Sequence, residues 1–103
     1  MKITPDTGEY ITLEEAQQFV KAYRRLHPEG LISFTVGSNR VKAILEQEGC
    51  IGIRMYHGYD EREQHYNLVL IGVGEDGEDM RNGVIVDRTQ VCPPNCHTRL
   101  IDN

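Results

Sequence analysis

The chain has 103 residues, of which 39% are hydrophobic and 26% are charged, and its formal net charge is −5. This length fits one domain and is too short for two ordinary cores. The composition is typical of a folded globule rather than of a disordered chain. The negative charge repels phosphate backbones, and the eleven Lys and Arg residues form no dense cluster, so we expect no nucleic-acid partner.

The longest apolar run, Leu68 to Val73, is too short to span a bilayer. Met1 leads into Lys2, Ile3 and Thr4 without the apolar region of a secretory signal behind them. We therefore expect a cytoplasmic protein that has no membrane partner.

The first predicted helix begins with a capping box. Thr12 is placed to accept from a first-turn backbone N–H, and Glu15 is placed to reach back to the cap. Pro28 cannot continue a helix, so the helix is predicted to end near Leu26 or His27. The side chains that recur at helical spacing are Leu13, Ala16, Val20 and Tyr23, with His27 as a candidate further member and with Phe19 and Leu26 widening the stripe.

A second, short helix is predicted to start at a cap residue, Ser38. Val41, Ile44 and Leu45 form its buried stripe. Gly49 tolerates the left-handed conformation that ends a helix.

The hydrophobic pattern changes to a period of two after the second helix, which predicts strands. The runs 51–56, 66–73 and 84–86 are predicted to form three consecutive antiparallel strands, and 31–36 is a candidate fourth strand. In the first run the alternation predicts two faces, with Ile51, Ile53 and Met55 on one and Cys50, Gly52, Arg54 and Tyr56 on the other.

The predicted architecture is a single α+β domain over residues 1–103. Two N-terminal helices pack on a three- to four-stranded antiparallel meander sheet. Residues 1–10 are predicted to form an extended arm, and residues 88–103 an irregular C-terminal segment.

The segment Cys92-Pro93-Pro94-Asn95-Cys96-His97 is the most chemically distinctive part of the sequence. Pro93 favours an extended Cys92, and Pro94-Asn95 fits the centre of a turn, so the two thiols can be brought close. Three interpretations stay open. They are a metal-binding pair, a small redox or export-linked disulfide, and a rigid turn whose thiols are passive.

A structural zinc site needs four ligands, and the spacing of Cys92 and Cys96 suits two of them. Cys50 is the expected third ligand, or else a histidine such as His57 or His65. The alternative for Cys50 is a small buried side chain at the start of a strand.

Two histidines, His57 and His65, flank the predicted hairpin loop and could face each other across its mouth with Asp60 and Glu61. They would be the acid–base groups of a small enzyme, and the alternative is that they are surface histidines. We found no complete catalytic motif in the sequence.

The tyrosines of the same hairpin gather around an arginine and would suit a protein contact. The alternative is that a second layer covers them as part of the core. The predicted binding surface is Arg54, Tyr56, Tyr59 and Tyr66.

The stretch Gly49-Cys50-Ile51-Gly52-Ile53-Arg54-Met55-Tyr56, followed by Leu68 to Val73 and by Cys92-Pro93-Pro94-Asn95-Cys96, resembles a family of small uncharacterised bacterial proteins. The resemblance covers about half of the chain. It implies a bacterial origin and carries no activity.

These patterns predict a small soluble binding or protein-interaction module without catalytic activity and without a cofactor. We expect a protein partner or self-association, for which an edge strand of the meander is a natural site. The alternatives are a zinc-stabilised domain that uses Cys92, Cys96 and Cys50, and a small enzyme that uses the hairpin histidines.

Overall fold

The structure is a computed structural model that describes residues 2–30 and 33–94. Its elements in chain order are α1 (Leu13–Leu26), β1 (Ser33–Thr35), α2 (Ser38–Leu45), β2 (Cys50–Asp60), β3 (His65–Gly74), β4 (Ile85–Val86) and β5 (Gln90–Cys92). The predicted mixture of two helices with antiparallel strands is confirmed.

The strands form two separate sheets. A three-stranded antiparallel sheet has the order β2-β3-β4, so the consecutive strands form the predicted meander. The candidate fourth strand does not join it. Instead β1 pairs antiparallel with β5, a strand that lies within the segment expected to be irregular, and the two form a ribbon of their own.

The first helix has the predicted boundaries because local chemistry fixes both ends. The Thr12 hydroxyl accepts from Glu15 N–H at 3.1 Å, and the Glu15 carboxylate accepts from Thr12 N–H at 3.3 Å, so the capping box is confirmed. The C-cap is His27, whose N–H donates to the Tyr23 carbonyl at 2.8 Å, and Pro28 follows.

The second helix starts differently from the prediction. Gly37 is its N-cap and makes no side-chain capping hydrogen bond, while Ser38 is already the first helical residue. The prediction that Ser38 caps this helix is therefore wrong, because the chain enters the helical conformation one residue earlier. Gly49 has a φ of +82°, as predicted for the residue that turns the chain after the helix into β2.

The β2–β3 hairpin is long and carries a register shift near its start. Cys50 pairs with Gly74, but Gly52 pairs with Val73 and Ile53 with Gly72, which leaves Ile51 as the extra residue of a bulge. The bulge places Cys50 on the same face as Ile53, and the alternation predicted across this point is wrong. In agreement, a Cβ added at Gly72 would lie 3.1 Å from the Cys50 Sγ.

The core lies where α2 packs on β2 and β3. The buried hydrophobic side chains among the described residues are Ile44, Leu70, Ile71, Val73 and Cys92. By contrast, no residue of α1 is buried. Neither described helix combines the length and the apolar character that crossing a membrane requires.

Candidate functional site

The candidate site is a cavity at the loop end of the β2–β3 hairpin, which we call the imidazole cavity. Its volume is about 640 Å³. The C-terminal end of α1 with the turn after it, the β1–β5 ribbon and the hairpin end form its walls. The lining residues are Tyr23, His27, Glu29, Gly30, Phe34, His57, Gln64, His65, Tyr66, Val91, Pro93 and Pro94.

On the helix side, two rings and a glycine form a compact wall. The rings of Tyr23 and His27 have centroids 4.6 Å apart and are tilted by 33°. The N–H of Gly30 donates to the His27 carbonyl at 3.0 Å, which folds the chain back onto the end of the helix. A Cβ at Gly30 would lie 3.2 Å from the His27 Cβ and 3.4 Å from the Tyr23 hydroxyl, so a side chain there would crowd both residues.

On the hairpin side, the cross-strand register places the polar rings. His57 pairs with Leu68 and Tyr59 with Tyr66, so His57 and Tyr66 lie on one face of the hairpin. The rings of Tyr59 and Tyr66 meet edge to face, with centroids 5.1 Å apart.

The orientation of His65 is defined by a contact with the backbone. Its Nδ1 lies 3.2 Å from the Tyr66 carbonyl oxygen. A carbonyl oxygen can only accept, so Nδ1 carries a hydrogen and donates to it, and Nε2 is the ring nitrogen left for other partners.

The turn beside His65 is built on a carboxylate. The side chain of Asp60 accepts hydrogen bonds from the backbone N–H groups of Glu63 at 3.1 Å and Arg62 at 2.9 Å. These bonds, that of Glu63 first, lower the pKa of Asp60, and the charges of His65 and Arg88 act in the same direction.

The structure brings the two predicted histidines, His57 and His65, to one cavity and adds a third, His27. The hairpin pattern predicted only the first two. His27 was interpreted as the end of a helix, and no local signal shows that the β1–β5 ribbon closes a cavity between this helix end and the hairpin. Rings that stack and imidazoles that can donate, accept or carry charge suit the binding of a small polar aromatic molecule.

A second polar cluster lies on the other face of the hairpin. Arg54 forms a salt bridge with Asp79, with 2.6 Å between Nη1 and Oδ1, and also donates to the Gly77 carbonyl at 3.4 Å. The Tyr56 hydroxyl donates to the other carboxylate oxygen of Asp79. Asp79 thus joins the loop after β3 to two side chains of β2.

The cluster shifts the titration of all three members. The hydrogen bond from Tyr56, followed by that from Arg54, lowers the pKa of Asp79. The same hydrogen bonds to Asp79 raise the pKa of Tyr56 and the pKa of Arg54, because each group is bonded to the carboxylate in its protonated form.

The four residues of the predicted binding surface fall into two groups. Arg54 and Tyr56 lie on one face and contact Asp79, whereas Tyr59 and Tyr66 lie on the opposite face and contact each other. Tyr56, Tyr59 and Tyr66 are exposed. The structure contains both groups but does not bring them together on one surface.

The structure describes two of the three cysteines, and these two belong to different sheets. Cys50 is a free thiol whose Sγ donates to the Gly52 carbonyl at 3.3 Å, at the end of the hairpin remote from its loop. Cys92 is disulfide-bonded, and the Pro93 that follows it lines the imidazole cavity with His57. Seven residues of β2 separate Cys50 from His57, which is roughly 23 Å of extended strand.

Cys96 and His97 lie outside the described residues. Within residues 2–30 and 33–94, no group of three or more His, Cys, Asp or Glu side chains is arranged to hold a metal ion. The zinc site on Cys92, Cys96 and Cys50 stays a prediction.

Comparison with known proteins gave no match. No protein-family model matches the chain, and neither a curated protein nor a solved structure is significantly similar to it. The bacterial family suggested by the sequence motifs stays a prediction, and the function has to be argued from the geometry.

Proposed function

We propose that this domain is a small protein-interaction module without catalytic activity, and that it self-associates through one side of α1. The observation that carries the proposal is the exposure of an amphipathic helix. The 14 residues of α1 include no buried residue, although apolar side chains recur along one side of it.

The contact surface, which we call the α1 surface, consists of the large exposed apolar side chains of α1 and of the two residues that precede its cap. Their exposed fractions range from 46% to 106%. A helix of this length is marginal in water unless its apolar side packs against something. The six side chains are Tyr10, Ile11, Leu13, Phe19, Tyr23 and Leu26.

The size of this surface fits a second copy of the chain as the partner. With roughly 200 Å² for a large side chain, the exposed parts of the six residues amount to roughly 800 Å², which is one partner's share of a standard interface. Every copy carries the same surface, so a two-fold axis can bury both at once.

The edge strands of the meander leave less free backbone for pairing with a second copy than the sequence predicted. Ile3, Thr4 and Pro5 of the arm line a cavity with residues 51–55, so the arm lies beside the outer strand β2. The other edge strand, β4, has only two residues. The α1 surface is therefore the better site for self-association.

The hairpin tyrosines support the same function as a second contact region. Tyr59 is 51% exposed and Tyr66 63%, and their edge-to-face packing presents a rigid aromatic pair. Arg54 is engaged by Asp79 and Gly77, which leaves less of its guanidinium for a partner. We propose that Tyr59 and Tyr66 contribute more to binding than Arg54.

Sedimentation equilibrium of the full chain tests the proposal. We expect the wild-type chain to sediment as a dimer and a Phe19→Ser/Leu26→Ser variant as a monomer, because each lost apolar contact weakens association by about 1–3 kcal/mol. The matched control is Lys21→Ser/Arg25→Ser, which changes the polar side of the same helix and should stay dimeric.

NMR peaks of the buried residues Leu70 and Val73 report whether the meander remains folded in both variants. A wild-type chain that is monomeric at every concentration overturns the proposal. So does a folded Phe19→Ser/Leu26→Ser variant that dimerises as well as the control.

A further inference from the structure

We propose that the imidazole cavity is a binding site for a small aromatic carboxylic acid. The inference goes beyond self-association and does not depend on it, because the cavity walls come mainly from the hairpin, the ribbon and the turn after α1. Of the α1 surface, only Tyr23 takes part in both.

The size and the walls of the cavity suit a planar ring. Its volume of about 640 Å³ lies within the usual range for small-molecule sites. The Tyr23–His27 ring pair forms one wall, and Tyr66, which Tyr59 supports edge-on, stands on the hairpin side. Aromatic rings on two walls provide stacking surfaces for a flat ligand.

The polar groups of the cavity favour an anion on that ring. Three imidazoles line it, and imidazole gains a positive charge between about pH 8 and pH 5. Among the described residues that line it, Glu29 is the one carboxylate, and it is exposed, as are the three imidazoles. Among the described lining residues, imidazoles that can donate to an anion therefore outnumber the carboxylate, although the chain as a whole is negative.

Polar or charged groups lie near two of the imidazoles. Tyr23 and Glu29 lie on the side of His27, and Asp60 interacts electrostatically with His65. Among the described residues, the side of the cavity formed by the ribbon and the residues after β5 is lined by the uncharged Phe34, Val91, Pro93 and Pro94.

The geometry also indicates where the carboxylate binds. The Nδ1 of His65 is occupied by the Tyr66 carbonyl, so the Nε2 of His65 is the nitrogen that can contact a ligand. His57 projects from the same hairpin face as Tyr66. The cross-strand register pairs His65 with Asp60 and so puts it on the opposite face, which makes His57 the imidazole that holds a carboxylate while the ligand ring lies beside Tyr66.

NMR titration of the full chain with indole-3-carboxylate as the probe tests the proposal. We expect the peaks of His27, His57, His65 and Tyr66 to shift, and the affinity to be at least about fivefold higher near pH 5.5 than near pH 7.5. Indole lacks the carboxylate and acetate lacks the ring, and each should bind at least about fivefold more weakly than the probe near pH 5.5.

Variants distinguish the contribution of the His57 imidazole to binding from the contribution of the cavity's shape. His57→Phe keeps a ring but removes the charge, so it should weaken binding of indole-3-carboxylate by about fivefold or more and leave indole binding unchanged. The matched control, Lys42→Gln on the exposed side of α2, removes one positive charge elsewhere and should bind like the wild-type chain.

The proposal is overturned if saturating probe moves none of the four peaks, or if folded His57→Phe binds the probe as tightly as the control. Acetate that binds as tightly as the probe would show a simple anion site and would also overturn it. Repeating the titration with Phe19→Ser/Leu26→Ser distinguishes the two proposals, because the cavity should bind in that variant whether or not the chain dimerises.

Discussion

The side-chain oxygen of Gln47 accepts a hydrogen bond from the Val84 backbone N–H at 2.8 Å, across 37 positions of sequence. The amide nitrogen of the same residue donates to the Ile44 carbonyl at 2.9 Å. One side chain thus satisfies a carbonyl at the end of α2 and an N–H at the entrance to β4, and it ties the helix to the meander.

Replacing Gln47 by Leu should destabilise the fold by about 1–3 kcal/mol, because the Val84 N–H and the Ile44 carbonyl both lose their side-chain partner. Urea unfolding measures the change. Gln18→Leu, at an exposed position of α1, is the matched control and should change the unfolding free energy by less than about 0.5 kcal/mol. Equal effects of the two substitutions would show that the Gln47 bridge is not stabilising.

The position of the Gln47 side chain also explains why residue 83, in the connection between β3 and β4, is a glycine. A Cβ at Gly83 would overlap the Gln47 side-chain oxygen, so Gly83→Ala should cost about 1–3 kcal/mol. The cost should largely disappear in a Gln47→Ala background, where the obstructing atom is absent. Gly52→Ala, whose Cβ meets no atom within 4 Å, is the control. Additive effects of Gly83→Ala and Gln47→Ala in urea unfolding would contradict this account.

The Asp79 cluster predicts a pH-dependent contribution to stability. The folded pKa of Asp79 is depressed, so its ionised form stabilises the fold above the unfolded pKa, and this contribution is lost as the pH falls through the folded pKa. We expect Asp79→Asn to be less stable than the wild-type chain at neutral pH and to lose less stability on acidification below about pH 4.

Urea unfolding at several pH values measures this difference. Glu75→Gln removes one negative charge from the same loop and should keep the acid sensitivity of the wild-type chain. In NMR titrations, Tyr56→Phe should raise the pKa of Asp79 towards its ordinary value, because the first cause of its depression is removed. An unchanged Asp79 titration in Tyr56→Phe would disprove the role of that hydroxyl.

The capping box gives a prediction about α1 itself. Thr12→Ala should reduce the stability of the helix by about 1 kcal/mol, since the hydroxyl bond to the Glu15 N–H is lost, while Thr12→Ser should retain most of it. Circular dichroism of the helix against temperature compares the three chains. If Thr12→Ala and Thr12→Ser melted at the same temperature, the capping role of the Thr12 hydroxyl would be refuted.

Metal analysis separates the interpretations of the cysteines. Because Cys92 is disulfide-bonded, we expect alkylation without reductant to leave it unmodified, and protein purified without chelator to contain less than stoichiometric zinc. Stoichiometric zinc that is lost in Cys92→Ser but kept in Cys50→Ser would restore a metal site on the C-terminal segment alone.

The elements with local causes could be predicted from the sequence. The cap at Thr12 and the break at Pro28 fixed α1, and Gly49 marked the change from helix to strand. The hairpin followed from the alternation of apolar residues, and the turn after β3 is closed locally by the Gly77 N–H, which donates to the Gly74 carbonyl at 2.9 Å.

What could not be predicted depends on contacts distant in sequence. Ser33 pairs with Cys92, and nothing in either short segment specifies the other. The bulge at Ile51 could not be predicted from the sequence either, since the residues around it alternate as in a regular strand. The candidate site was predicted in part, because His57 and His65 flank one local loop, whereas His27 joins them only through tertiary structure.

The β1–β5 ribbon determines the order in which the chain can assemble. It joins segments more than fifty residues apart, while the β2–β3 hairpin closes over a loop of only a few residues. Short closures cost less entropy and form earlier, so the meander can fold first and the ribbon last. The imidazole cavity would then be the latest feature of the molecule to be completed, and the first to open when the chain begins to unfold.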